Sequence, residues 1–114
     1  MDKINAYRKI IKDIFTLYAE TRIPVNHPNP GYQLIFDEAR DSYLLYRTGW
    51  KEDIRRVHFC VFHVDIKDDK VWVQEDATDF DLVGELEEKG IPKQDIVLGF
   101  HAPYKRPYSG YAVS

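Results

Sequence analysis

Three side chains that could do chemistry fall within one stretch near the middle of the chain. His63, Asp65 and Asp76 combine an imidazole with two carboxylates, the groups that hold a divalent metal ion or transfer protons. If Asp68 and Asp69 form a two-residue turn, the flanking segments pair as antiparallel strands and Asp76 lies diagonally across from His63. A three-ligand metal site or an acid–base site is therefore one hypothesis for these residues.

A plainer interpretation of the same stretch is a polar face of a β-sheet. In this register His63 lies opposite Gln74 and Asp65 lies opposite Trp72, so His63 would hydrogen-bond to Gln74 or to water. His58 cannot join His63 at one metal, because residues five apart on a strand point to opposite faces. We prefer the polar-face interpretation, in which the predicted cluster consists of His63, Asp65, Trp72, Gln74 and Asp76.

The sequence lacks the motifs of common enzyme classes. It has no glycine-rich phosphate loop, no nucleophile elbow and no cysteine pair. Asp65 and Lys67 alone have the acid-x-lysine spacing of a nuclease site, without a convincing upstream acid on a neighbouring strand. The single Cys60 is interpreted as a small core residue. We therefore predict a protein that is not an enzyme and that needs no metal and no cofactor.

The C-terminal segment mixes aromatic and basic residues. Its candidate contact residues are His101, Tyr104, Lys105, Arg106 and Tyr108. Such a mixture can bind phosphate and stack on bases. It can equally dock onto the sheet or onto another subunit, because Tyr and Arg are typical interface residues. We prefer docking or subunit contact and keep direct DNA binding through this segment as an alternative.

The charge of the chain argues against a freestanding nucleic-acid binder. The 114 residues carry a net charge of -3, and residues 65–88 hold ten acidic and two basic side chains. Residues 89–114 hold four basic and one acidic side chain, a thinner basic patch than DNA-binding surfaces usually show. The length fits one domain over residues 1–114. With no apolar signal region or membrane segment, we expect a cytoplasmic protein with no membrane partner.

The spacing of apolar residues predicts an α+β fold. A helix is expected from Asp2 to Thr21 with Asp2 as its N-cap, and a second helix after Thr78, with Asp81 as capping-box partner and Gly90 as its left-handed end. Strands are expected over residues 32–37, 43–48, 55–67 and 70–76. These elements predict an antiparallel β-sheet of four or five strands with both helices packed against it.

Alternation along the last two of these strands predicts which residues face the core. The expected core residues are His58, Cys60, Phe62, Val64, Ile66, Val71 and Val73. In the same register Phe62 faces Glu75. An irregular, proline-bearing connection that includes His27 is expected over residues 24–30.

Four segments together give the chain a specific resemblance. They are MDKINAYRKIIKDIF, IFDEARDSYLL, RRVHFCVFHVDIKDDKVWVQED and IPKQDIVLGFHAPYKRPYSGYAV, which cover nearly the whole sequence in order. In these segments the chain resembles the XisI family, the fdxN-element excision controlling factors known chiefly from cyanobacteria.

The resemblance implies a small accessory protein without catalytic residues. Such a protein acts with a companion excision factor, a XisH-like protein, in controlling the removal of a DNA element by a separate site-specific recombinase during heterocyst differentiation. Any association with DNA would then be indirect, through the recombinase complex. An antitoxin-like protein that binds a nuclease-like companion is an alternative. The aromatic tail and the face bearing Phe59 and Trp72 further predict a homo-oligomer.

Overall fold

The computed structural model of the protein describes residues 2–22 and 31–114. Its elements in chain order are α1 (Lys3–Thr21), β1 (Gly31–Asp37), β2 (Ser42–Lys51), β3 (Arg55–Lys67), β4 (Lys70–Asp76), α2 (Leu82–Glu88) and β5 (Ile96–Leu98). A 3₁₀ turn, Lys93–Asp95, precedes β5, and a 3₁₀ helix, Pro103–Tyr108, follows it. The α+β prediction is confirmed. The predicted connection at residues 24–30, with His27, lies outside the described residues.

The helix ends follow from local side-chain chemistry. Asp2 is the N-cap of α1, as predicted, and its carboxylate accepts a hydrogen bond from the Ile4 amide at 2.9 Å. The left-handed end of α2 is also confirmed, since Gly90 has φ 118° and the Ile91 amide donates to the Leu86 carbonyl at 3.1 Å. No helix among the described residues is long and apolar enough to cross a membrane.

The predicted start of α2 at Thr78 is wrong. The helix is capped instead by Asp81, which accepts from the Gly84 amide at 2.9 Å. Thr78 is already engaged, because its amide and its hydroxyl both donate to Asp76 Oδ1. This Asx turn ends β4 and directs the chain back towards the helices.

The five strands form one sheet in the order β1-β2-β3-β4-β5. The first four strands pair antiparallel with their neighbours, as predicted. The fifth differs, because β5 runs parallel to β4. The connection from β4 to β5 passes through α2, and a crossover of this kind returns the chain in the same direction.

Two β-bulges change the predicted register and faces. Phe62 pairs with Asp76 rather than with Glu75, because Gln74 is an extra residue in β4. Val61 is likewise an extra residue in β3, since Leu45 pairs with Phe62 and Tyr46 pairs with Cys60. An extra residue reverses the alternation beyond it.

The core prediction is therefore wrong for His58 and Cys60 and correct for the other five residues. His58 is exposed and Cys60 is half-buried, and both lie on the face opposite the core. Phe62, Val64, Ile66, Val71 and Val73 are all buried.

Both helices pack on one face of the sheet, which we call the helix face and which includes Leu45, Phe62 and Val73. Phe15 of α1 meets Phe62 with a ring-centroid distance of 5.3 Å. The opposite face, here called the tail face, includes Ser42, Asp65, Trp72 and Val97 by strand register. The chain after β5 returns across this face, and Ala112 forms a parallel bridge to the fully buried Val97.

Candidate functional site

Asp65 is the centre of a hydrogen-bonded group on the tail face. Its Oδ1 accepts from Ser42 Oγ at 2.6 Å and lies 2.9 Å from His63 Nε2, and its Oδ2 accepts from Gln74 Nε2 at 3.3 Å. Gln74 comes two residues after Trp72, the strand partner of Asp65, so its side chain lies on the same face as Asp65. The structure thus brings together three residues of the predicted cluster, His63, Asp65 and Gln74.

The sequence analysis missed Ser42, which lies opposite Asp65 on β2. A hydroxyl side chain at the start of β2 could have suggested this contact. The register that pairs β2 with β3 contains the bulge at Val61, and the sequence did not predict it. Ser42 Oγ donates to Asp65 Oδ1, and His63 Nε2 lies beside the same oxygen, so the carboxylate stands between the hydroxyl and the imidazole.

The other two predicted residues do not take part in the side-chain hydrogen bonds to Asp65 that the described residues form. Trp72 pairs with Asp65 in the sheet register, and its indole lies 4.0 Å from Lys67 Nζ and 5.3 Å from the Arg106 guanidinium, measured to the ring centroid. Asp76 pairs with Phe62 and binds Thr78 instead. The structure therefore does not assemble the hypothesised site of His63, Asp65 and Asp76. Within the described ranges, no three His, Cys, Asp or Glu side chains are grouped to hold a metal ion.

The C-terminal 3₁₀ helix forms a second candidate site. Tyr104 and Tyr108 are 72% and 88% exposed, so their rings stand in solvent. Arg106, between them in sequence, turns inward, and its guanidinium donates to the carbonyls of His101 at 3.2 Å and Gly99 at 3.5 Å. Of the predicted contact residues, the two tyrosines and the exposed Lys105 thus face outward. Arg106 holds the segment on the sheet, and the half-buried His101 lies beside Phe100.

Further hydrogen bonds fix this segment. Ser109 Oγ donates to the Arg106 carbonyl at 2.8 Å and accepts from the Tyr111 amide at 3.0 Å. The Tyr111 hydroxyl donates to Glu87 Oε2 of α2 at 2.8 Å. Burial, together with this bond to Glu87, raises the pKa of Tyr111 to about 12. The exposed tyrosines therefore sit on an anchored platform rather than on a free chain end.

A groove between the two helices is a third surface feature, which the sequence did not indicate. It encloses about 300 Å³ and is lined by Ile10, Asp13, Ile14, Leu17, Tyr18, Thr21, Arg22, Phe80, Glu85 and Lys89. Its floor is apolar, and Leu17 on its wall is 57% exposed. Its charged residues comprise two acids and two bases, so the groove has no net preference for a charged ligand.

Comparison with known proteins places this fold in a family. The family model described as "XisI protein" matches residues 1–113. The crystal structure of a XisI-like protein from Anabaena variabilis superposes with a TM-score of 0.87 at 40% sequence identity, and the match covers 96% of this chain and 97% of that chain.

A second crystal structure, of the fdxN element excision controlling factor XisI from Anabaena variabilis, gives a TM-score of 0.80 at 36% identity. That match covers 99% of this chain and 100% of the other. No curated protein sequence matches the chain. Because the family model and both structures span almost the entire sequence, this chain belongs to the XisI family.

Proposed function

We propose that this protein is a non-catalytic accessory factor that controls excision of a DNA element by binding a companion protein. Its structural relative from Anabaena variabilis is described as an excision controlling factor, and the family resemblance implies a XisH-like companion and a separate recombinase. The setting implied for such a system is the cytoplasm of a cyanobacterium during heterocyst differentiation. DNA is then contacted by the recombinase, and this protein reaches it only indirectly.

The observation that carries the proposal is the exposure of Tyr104 and Tyr108 on an anchored segment. Tyrosine supplies a large contact area at low conformational cost, and burying such rings is a common source of binding energy between proteins. A segment that is already ordered loses little entropy when a partner binds. The companion protein is therefore proposed to contact the platform formed by residues 103–108.

The same geometry disfavours direct DNA binding as the main role. Of the two basic residues in the 3₁₀ helix, Arg106 donates to backbone carbonyls and stacks on Trp72. Lys105 is left as the one exposed cation of that helix. A single cation releases too few counterions for strong phosphate binding.

The non-catalytic part of the proposal draws support from the Asp65 group. Both carboxylate oxygens accept hydrogen bonds from neighbouring side chains. Ser42 donates its proton to that carboxylate rather than to an imidazole. These contacts fix the orientation of side chains from three neighbouring strands, which supports a structural role for the group.

The decisive experiment is co-purification with the XisH-like protein of the same genome. The two chains are co-expressed with a tag on one, treated with nuclease and separated by size-exclusion chromatography. We expect a complex that survives both nuclease and high salt. Absence of a complex, or a complex lost after nuclease treatment, would overturn the proposal and favour contact through DNA.

A further inference from the structure

β3 is much longer than the strand that borders it. It has 13 residues and β4 has seven, and only the part from Phe62 to Lys67 pairs with β4. One more backbone bond joins the Ala77 amide to the Val61 carbonyl, and the Asx turn at Asp76 then directs the chain away. In the part of the chain that the structure describes, the outer edge of β3 from Arg55 to Cys60 has no backbone partner. We call this segment the open edge.

The two ends of the open edge carry opposite charges. Arg55 and Arg56 lie at its start and are exposed, with Lys51 opposite Arg55 on β2. The acids Glu52 and Asp53 lie in the turn beyond this pair and outside the strands.

At the other end stands Glu75, which is exposed and pairs with His63. Because His63 comes three residues after Cys60 and shares the tail face with Asp65, Glu75 lies on the tail face just beyond the end of the open edge. Asp76 and Asp79 follow Glu75. Arg56 and Glu75 make no ion pair with any residue of the two described ranges.

Unpaired strand edges invite pairing with another chain. If two open edges pair antiparallel about a two-fold axis, the basic start of each meets the acidic end of the other, whereas parallel pairing would place like charges together. The ring of Phe59, which is 44% exposed, lies on the open edge itself and would be covered by the second copy. We propose that two copies of this protein join through their open edges into one continuous ten-stranded sheet.

This inference goes beyond the proposed function and does not depend on it. The outer edge of β1 offers a rival site, since β1 is the other border of the sheet. However, Asp37 is the only charged residue of β1, so a pair of β1 edges lacks the opposing charges that the open edge provides. The choice between the two edges can be made with charge-reversal variants.

The test compares the molar mass in solution of four proteins, measured by light scattering after size exclusion. The unaltered chain is expected at twice its 13.5 kDa mass. Arg56 and Glu75 both lie on the tail face by strand register. Arg56→Glu and Glu75→Arg each place like charges together at both contacts, so each is expected to raise the dimer dissociation constant at least about tenfold. An equimolar mixture of the two variants restores opposite charges at both contacts and should return the dimer.

Arg40→Glu, at the 83% exposed Arg40 beside β1, is the matched control and should leave the dimer intact. Circular dichroism establishes that each variant is folded. A monomeric unaltered chain, dimers that persist in both single variants, or a mixture that stays monomeric would each overturn the proposal. Loss of the dimer in Arg40→Glu alone would overturn it in favour of the β1 edge.

Discussion

The guanidinium carbon of Arg106 lies 5.3 Å from the centroid of the Trp72 ring. This contact joins the C-terminal segment to β4, and the same guanidinium also binds the carbonyls of Gly99 and His101. A side chain that the sequence offered as a phosphate ligand is therefore an anchor of the tail on the sheet. The two basic residues of the segment therefore have different roles. The Arg106 side chain binds backbone carbonyls, whereas the Lys105 side chain is exposed, so each can be substituted independently.

Arg106→Ala is expected to lower the free energy of unfolding by about 1–2 kcal/mol, because it removes a cation–π contact and two hydrogen bonds to carbonyls. Urea unfolding followed by circular dichroism measures the change. Lys105→Ala is the matched control and should stay within about 0.5 kcal/mol of the unaltered protein. Equal effects of the two substitutions would show that Arg106 does not anchor the tail.

Asp65→Asn is expected to destabilise the protein by about 1–3 kcal/mol, since the amide retains one acceptor oxygen and points its NH₂ at a neighbouring donor. Ser42, His63 and Gln74 then compete for a single acceptor. Thermal unfolding with and without the substitution tests this. Asp68→Asn serves as the control, because Asp68 lies in an exposed turn at φ 55°, a conformation that Asn tolerates well. A loss of stability no larger than in the control would contradict a structural role for the Asp65 group.

Asp69→Gly is expected to raise the free energy of unfolding by about 0.5–1 kcal/mol, because residues with a Cβ are strained in the left-handed region. Asp68 and Asp69 have φ of 55° and 62°, as a two-residue type I′ turn requires. Chemical denaturation measures the gain. Asp69→Ala, which keeps the Cβ, should give no gain, so an equal improvement in both variants would show that backbone strain is not the cause.

The hairpin of β3 and β4 shows which parts of the fold could be predicted from the sequence and which could not. Around the Asp68-Asp69 turn, alternation correctly paired Ile66 with Val71 and Val64 with Val73. Beyond these residues it failed at Val61 and Gln74, because nothing in the alternation of residue types marks an extra residue. Val61 is 2% exposed, so packing of the complete sheet, rather than local pattern, stabilises its position in the bulge.

The candidate sites were predictable to a similar extent. The hydrogen bonds from His63 and Gln74 to Asp65 join residues that lie on one predicted hairpin. The bond from Ser42 depends on the pairing of β2 with β3, which the sequence did not specify. The inward turn of Arg106 could not be predicted either, since its partners Gly99 and Trp72 become neighbours only when β5 pairs with β4.

Asp41→Asn is expected to reduce the amount of folding stability that the protein loses between pH 7 and pH 3. Arg8 donates to both carboxylate oxygens of Asp41, at 2.7 Å and 3.0 Å, and this bonding is the main reason that the pKa of Asp41 is lowered. A carboxyl with a lowered pKa stabilises the fold above its unfolded pKa of about 4, and this contribution is lost as pH falls through the folded pKa. Stability measured at pH 7 and at pH 3 should therefore differ less in the variant.

Asp53→Asn is the control for this experiment. Asp53 also has a left-handed backbone, at φ 58°, but no ion pair with any residue that the structure describes. Its substitution should leave the difference between pH 7 and pH 3 unchanged. If Asp41→Asn retains the full difference as well, the acid sensitivity arises elsewhere in the molecule.

The double variant Tyr104→Ala, Tyr108→Ala is expected to weaken binding of the XisH-like companion by about tenfold to a hundredfold, because exposed tyrosines on an anchored segment act as interface anchors. Titration calorimetry with the purified companion measures the affinity. The fold should be unaffected, since both rings stand in solvent. Leu17→Ala is the matched control, because it removes another exposed apolar side chain, one that lines the groove between the helices. The proposal would be contradicted if the double variant kept its affinity and Leu17→Ala lost it. The companion would then bind in the groove, on the apolar floor between α1 and α2.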